Sequence, residues 1–555
     1  MPPSPPARRS GGGALAVAAG IFLSRVAGLV RERAIAHYLG QGTATDAFRA
    51  ALRIPNLLQN LLGEGVLSAS FIPVYARLLA EGRTEEASLV ARAIGTLLAL
   101  VASALALVGI LAAGPVVDTL SPGYDPATQE LTVQLVQIMF PGVVLLVMSA
   151  WCLGVLNSHR RFFLSYVSPV LWNTALIATA IVAGRRFAGH DDAIAVWLGW
   201  GAVIGSAAQF LVQLPTVIAL VRGVRPSLAV REDGVRKTLR AFVPVLFGRG
   251  SVQISAYIDQ ALASYLGKGI VSAMANAQVL YTLPVSLFGM AVSAAELPEM
   301  SSATGGEAAR AAHLQNRLDT GLRKVTFLVV PSAIAFATIG GAIVALLFQT
   351  GKFTADDTQV VWIILCGSAI GLVPSTLGRL LASAFYALGD PKPPLRAALV
   401  RVGVNATLGF IVALPLRAAL GYTDVWRGVA DVLAQRPIEP PGFSGAWFAF
   451  GLMAGSGIAA WIEFALLRRW LARRIGAVPV PTKLLLGTLA VALVAGAGGY
   501  GASALATHLG AHRWMSAIVA IGVFGVVYLG STALAQIPEA HAFTRRLLRR
   551  RSGKA

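Results

Sequence analysis

Apolar runs of about 20 residues or more recur along the whole chain, separated by short polar turns. About fourteen can be marked, from Ala14–Ala36 at one end to Met515–Leu534 at the other. As α-helices, such runs rise about 1.5 Å per residue and cross the roughly 30 Å hydrocarbon core of a bilayer. A helix also satisfies its backbone N–H and C=O groups within itself, which lipid demands. The pattern predicts an all-α polytopic membrane protein and leaves no stretch for a soluble domain of ordinary size.

The second run, Ala47–Leu79, carries charge along its length. At about 100° per residue, Asp46, Arg49, Arg53, Asn60 and Glu64 fall within about 60° of one another, with Asn56 beside them. Phe48, Ala51, Leu58 and Leu62 occupy the opposite side. This describes a helix with one face on lipid or neighbouring helices and the other on a water-filled space. Pro55, Gly63 and Gly65 make it a bending element. The first run places Arg25, Arg31, Glu32 and Arg33 at membrane depth or just inside it, Ser24 shares a face with Arg31, and Gly28 lets another helix or a substrate approach closely. One central Arg costs roughly 2.5 to 3.5 kcal/mol to insert, so these residues face a cavity or a partner. Arg25 and Glu32 share a face. The competing reading is therefore a lattice of ion pairs, Arg25 with Glu32 and Asp46 with Arg49, that only locks helices together.

The 555 residues are 56% hydrophobic and 13% charged, with a net charge of +20. That charge would suit nucleic acid if the cations formed one basic domain. Instead, Lys and Arg concentrate in alternate connections, the positive-inside pattern. It places the amino terminus and the tail with Arg545, Arg546, Arg549, Arg550 and Arg551 in the cytoplasm. The first run contains Arg25 and no small-residue cleavage site, so it reads as an uncleaved helix. Cys152 and Cys366 fall in spans of different halves and build neither a disulfide framework nor a metal site. The seven histidines lack zinc-binding spacing, and no Gly-rich phosphate loop ending in Gly-Lys-Ser or Gly-Lys-Thr is present. No catalytic residues, metal or cofactor are predicted, and the charged, bent helix points to a transporter rather than an enzyme.

The chain also repeats itself. Phe247–Gly269 echoes the first helix, pairing Ser24 with Ser251 and Glu32 with Asp259. Gly154–Asn173 parallels Tyr386–Asn405. The offset stays at about 225 to 232 residues and spans six helices, so the halves share one orientation as parallel repeats. The predicted organisation is a disordered cytoplasmic head (1–13), a six-helix bundle (14–221), a basic cytoplasmic linker (222–240), a second six-helix bundle (241–470), two additional spans (471–535) and a basic tail (536–555). The linker, Arg222–Arg240, suits anionic lipid head groups. A long outward loop, Gly421–Phe443, has the pattern of a short surface helix from Asp424 to Gln435.

The stretch TDAFRAALRIPNLLQNLLGEGVLSASFIP (Thr45–Pro73) closely resembles the second-helix signature of the MurJ/MviN family of lipid II flippases. SRVAGLVRE (Ser24–Glu32), GVLNSHRRF (Gly154–Phe162), QTGKFTADDT (Gln349–Thr358) and ASAFYALGDPKPPLR (Ala382–Arg396) follow in the family's order. The resemblance implies the multidrug/oligosaccharidyl-lipid/polysaccharide exporter fold: two six-helix bundles in a V, a cationic central cavity, and two last helices forming a groove for a lipid tail. It implies transfer of undecaprenyl-diphosphate-linked peptidoglycan precursor to the outer leaflet of a bacterial inner membrane. The implied partners are membrane lipid and that glycopeptide lipid, not nucleic acid. Carried over by position, the resemblance points to Ser24, Arg25, Arg31, Asp46, Arg53, Asn56, Asn60 and Glu64; Glu32 and Arg49 join the candidate cavity residues from the helical reading, and Asp259, the repeat counterpart of Glu32, is a candidate coupling-ion site. The chain departs from the family pattern at Gln59 and Val279, where the family usually has cations, and at Glu32, where Asp is more usual. Alternatives are a flippase for another polyprenyl-diphosphate glycolipid or a drug or cation antiporter of the same superfamily, whose cavity would be acidic.

Reporter fusions test the orientation. Those placed after Arg225, Arg396 and Arg550 are expected to report cytoplasm, and those at Asp125 and Asp431 periplasm. A cytoplasmic signal at Asp431 would break the fourteen-span arrangement.

Overall fold

The computed structural model describes residues 11–221, 225–302, 306–419, 444–478 and 480–540. Within these, the side chains of Ile54, Pro55, Glu64 and residues 247–256, among others, lie outside the described residues. So do the expected surface helix in the loop 421–443 and the basic tail from 541 onward. Among the described residues the protein is helical throughout, and eleven helical stretches have the length and composition to cross a membrane. Three more helices, Gly11–Leu39, Asp233–Ser264 and Lys392–Ala419, contain 29, 32 and 28 residues and are also of spanning length.

The chain separates into two compact units, residues 1–261 with 350–352, and residues 262–349 with 353–555. The first holds α1 (Gly11–Leu39), α2 (Thr43–Leu62), α3 (Glu64–Ala80), α4 (Thr84–Leu111), α5 (Ala113–Leu120), α6 (Pro126–Ser158), α7 (Phe162–Arg186), α8 (Asp191–Leu220) and most of α9 (Asp233–Ser264). Its centre is α6, which packs against α2, α3, α4, α5 and α8. Asp125 starts this helix as its N-cap, accepting from the Thr128 N–H at 3.1 Å with Pro126 at the first position. Trp151 on α6 is buried and donates its indole N–H to the Ala91 carbonyl at 3.0 Å. Gly95 makes that approach possible, because a Cβ there would stand 2.9 Å from the Trp151 ring.

The second unit repeats the plan with α10 (Ile270–Pro284), α11 (Ala291–Ser301), α12 (Glu307–Thr338), α13 (Gly340–Phe348), α14 (Ala355–Ala387), α15 (Lys392–Ala419), α16 (Ser444–Ile475), α17 (Thr482–His508) and α18 (Arg513–Leu534). Here α14 is central. A capping box of Thr354 and Asp357 begins it, as the sequence Thr-Ala-Asp-Asp allows. Gly367 and Gly371, four residues apart, meet α16, where a Cβ on Gly371 would lie 2.8 Å from the Gly457 Cα. This is close small-residue packing of the kind that holds helices together in lipid. Large apolar side chains point outward from both units, including Leu107, Val108 and Leu111 on α4, Trp197 and Ile204 on α8, and Val494 and Val526 on α17 and α18. In water such patches would drive aggregation, whereas in a bilayer they are the solvated face.

Four of the apolar runs marked in the sequence, Ala47–Leu79, Ala93–Leu120, Ile270–Leu297 and Val325–Phe348, are broken or bounded differently in the structure. Ala47–Leu79 is two helices broken at Gly63, which has φ −90° and ψ −147°. Ala93–Leu120 starts earlier, at Thr84, and turns at Ala112 into the short α5, where Pro115 supplies no N–H. Val325–Phe348 begins at Glu307, because the charged first half of α12 is amphipathic and buries Leu314, Leu318 and Leu322 at four-residue spacing. A π-helical turn at Val285–Met290 follows Pro284 and interrupts the α10–α11 span.

The break at Gly63 depends on the missing side chain: a Cβ there would sit 2.1 Å from the Gln59 carbonyl oxygen. Gly63→Ala is expected to cost about 1 to 3 kcal/mol, seen as a lower melting midpoint of the detergent-purified protein. Gly42→Ala, where a Cβ meets nothing within 4 Å, should leave the midpoint in place.

Candidate functional site

The charged residues predicted on the first two helices gather inside the first unit. Glu32 on α1 is 1% exposed. Its two carboxylate oxygens are divided between two guanidinium groups: Oε1 accepts from Arg31 Nη2 and Oε2 from Arg49 Nη2 of α2. Arg31 also donates from Nη1 to Asn173 Oδ1 at 2.8 Å, and its guanidinium lies 4.9 Å from the centre of the Trp172 ring. Asn173 is held in turn by its own Nδ2 donating to the Pro169 carbonyl at 3.0 Å. The trio of Arg31, Glu32 and Arg49 therefore carries one net positive charge. Arg31 Nε is buried with no hydrogen-bond partner among the described residues.

Arg53, one helical turn beyond Arg49, belongs to a separate set of contacts. It donates from Nη1 to Gln260 Oε1 at 2.7 Å, and Gln260 Nε2 reaches Ser121 Oγ at 3.4 Å. Tyr257 donates its hydroxyl to the Arg53 carbonyl oxygen at 3.1 Å, and Asp259 attracts the guanidinium electrostatically. Tyr124, in the turn before α6, donates to the Asp46 carbonyl oxygen at 3.2 Å. Burial pushes its phenol well above the usual value of 10, so it remains a neutral donor.

Of the other predicted residues, Asp46 is buried, Ser24, Gly28 and Asn56 are half-buried, and Arg25 and Asn60 are exposed. The Glu64 and Pro55 side chains lie outside the described residues. Gly65 lies in the first turn of α3, just past the break at Gly63. Arg25 is not the cation that Glu32 takes. Although seven residues apart on one helical face, Arg25 remains exposed, while Arg31 folds round toward α7 and Arg49 reaches in from α2. Phe48 and Ala51, on the side opposite the polar stripe, are fully buried, so this face packs on neighbouring helices. In the sequence Asn173 is only a landmark of the repeat, and Trp172, Tyr124, Tyr257 and Gln260 carry no local mark of a site. The readable signal was a polar amide inside an apolar run, as in Pro-Val-Leu-Trp-Asn. Among the described residues, no three His, Cys, Asp or Glu side chains come together as a metal site.

A helical bundle that exposes leucine and valine while enclosing arginines around one glutamate defines a polytopic membrane protein. Its fold is like that of an inward-facing multidrug resistance MATE family transporter of the MOP superfamily, which superposes with a TM-score of 0.61 at 16% identity, over 83% of this chain and 98% of the other. A solved lipid II flippase MurJ in an inward closed conformation matches with a TM-score of 0.73 at 20% identity, over 96% of this chain and all of that one. In sequence, the lipid II flippase MurJ of Burkholderia cenocepacia is 36% identical over 416 residues, 74% of this chain and 79% of the relative. The family model for lipid II flippase MurJ matches residues 35–423. The chain belongs to the lipid II flippase MurJ family.

Glu32 is what allows two arginines to stay inside the bundle. Glu32→Gln is expected to lower the amount of folded protein in the membrane, since breaking a buried pair costs roughly 3 to 5 kcal/mol. Arg49→Gln in the same chain should restore part of that loss, measured as the monodisperse fraction on size exclusion. No restoration would mean that Glu32 and Arg49 are not energetically coupled.

Proposed function

We propose that the protein is a flippase that moves undecaprenyl-diphosphate-linked peptidoglycan precursor, lipid II, from the inner to the outer leaflet of a bacterial cytoplasmic membrane by alternating access. In this reading it serves peptidoglycan synthesis and has both termini in the cytoplasm. The supporting observation is that intramembrane arginines are held by the first unit of a chain belonging to this family. A diphosphate needs several cationic donors in a low-dielectric space, and guanidinium groups give planar, paired hydrogen bonds to phosphate oxygens.

The cations divide by role. Arg49 gives a donor to Glu32 and holds α2 to α1. Arg31 keeps an uncommitted Nε, Arg25 is exposed, and Arg53 is oriented by a neutral amide. These three are the proposed diphosphate ligands, with Ser24, Asn56 and Asn60 as neutral polar neighbours. Asp259, in electrostatic range of Arg53, is the proposed place where a coupling cation or proton would act. The break at Gly63 is the proposed bending point of the second span.

The test is depletion of a host's own lipid II flippase with this protein supplied instead. Growth is expected to return. Arg53→Ala should abolish rescue while the protein still accumulates, because losing one charge-assisted bond to phosphate weakens binding about ten- to hundredfold. Leu107→Ala, on the exposed apolar face of α4, should leave rescue intact. If the unmodified protein accumulates without restoring growth, lipid II is the wrong cargo.

A further inference from the structure

The connection into α9 builds a cationic recess that the transport reading does not use. A cavity of 740 Å³ is lined by Val230, Arg231, Arg236, Leu239 and Arg240. Its walls are fixed by packing. Ser227 donates its backbone N–H to Thr96 Oγ1 of α4 at 3.1 Å, and Val230 N–H turns back to the Leu228 carbonyl at 2.7 Å. The start of α9 lies on α3 and α4 through Gly234, where a Cβ would come 2.6 Å from Val90 Cγ2, and through the buried Val235 and Thr238. With that face committed, Arg236, Lys237 and Arg240 must project outward, and Arg236 and Arg240, four residues apart, share a side.

Arg231, Arg236 and Arg240 are all exposed, and no described carboxylate pairs with them, although Glu232 and Asp233 are their sequence neighbours. Beside them Leu228 is 64% exposed and Val230 44% exposed. Such a site combines unneutralised guanidinium groups with bare alkyl surface at the start of α9. A nucleic acid or an acidic protein would satisfy the cations and leave the alkyl groups in water. An anionic phospholipid satisfies both, its phosphodiester meeting the guanidiniums and its upper acyl chain covering Leu228 and Val230. We propose that the recess between the Ser227–Val230 turn and the first turns of α9 is a binding site for the head group of an anionic phospholipid.

The purified full-length protein in a neutral detergent is titrated with phosphatidylglycerol, phosphatidylcholine or inorganic phosphate, and the melting midpoint is followed. Phosphatidylglycerol is expected to raise the midpoint saturably, with the other two leaving it nearly unchanged. Combined Arg231→Gln, Arg236→Gln and Arg240→Gln should weaken the apparent phosphatidylglycerol affinity about hundredfold, given roughly 1 kcal/mol for each cation near an anionic lipid surface. The same three positions changed to Lys keep the charge and should retain most of the affinity, which separates lost binding from a lost fold. Leu228→Ser with Val230→Ser should also weaken phosphatidylglycerol. Equal responses to phosphatidylglycerol and phosphatidylcholine, or an unchanged affinity in the Gln variant, would overturn the proposal. A shift given by inorganic phosphate alone would assign the recess to a free anion and overturn it as a lipid site.

Discussion

Two guanidinium groups cannot remain inside an apolar bundle unless something anionic is buried with them, and Glu32 is that group. Its two oxygens take one donor each from Arg31 on its own helix and Arg49 on the next. The carboxylate thus joins α1 to α2 and sets the direction of both arginines. Neighbouring residues on a helix do not face each other, so Arg31 has to curl round to reach Glu32. It does so against Trp172 and Asn173 of α7. The buried charge thus ties α1 to α2 through Arg49 and adds a polar contact to the packing of α1 on α7, where Gly20 meets Tyr166 and Gly184 meets Tyr38. Replacing such a cluster by apolar groups often leaves stability unchanged or improved. Its presence here therefore suits a need for cations at this depth better than a need for stability.

The surrounding scaffold is built for close approach of backbones. Lipid tails are as apolar as leucine, so burying leucine gains little inside a membrane and contact area must come from small residues. Gly95 against Trp151 in one unit and Gly371 against Gly457 in the other follow from that. The helices α6 and α14 are each central to their own unit. Their neighbours carry the outward leucines and valines that the bilayer covers.

Much of this was legible in the sequence because each feature had one cause. Spanning helices follow from run length, and the polar stripe of α2 follows from angular spacing. The break at Gly63 was readable as a glycine in a charged span. What was not legible needed a third dimension. Seven-residue spacing put Arg25 and Glu32 on one face, but the pairing went to Arg31 and Arg49, because α7 and α2 supplied the contacts that decided it. Hydropathy alone placed the start of α12 eighteen residues late, since Glu307 to Lys324 is polar on average and apolar only along one stripe. Gln260 and Tyr257 lie two hundred residues from Arg53 in sequence, and no local pattern connects them to it.

The identity of each arginine's partner bears on what the site has left to bind with. A carboxylate partner cancels charge, whereas an amide partner orients a guanidinium and leaves its charge in place. Glu32 meets two arginines at once and reduces that trio to a single net charge. Gln59 and Val279 add no charge of their own. In the proposed reading, attraction for a diphosphate in the first unit rests mainly on Arg53, whose hydrogen-bond acceptor is the neutral Gln260. Asp259 offsets part of the Arg53 charge through space. If Arg53 is a diphosphate ligand as proposed, a cation or proton taken up by that carboxylate would remove the offset and strengthen its hold, which would link ion uptake to anion affinity at this position through Coulomb's law.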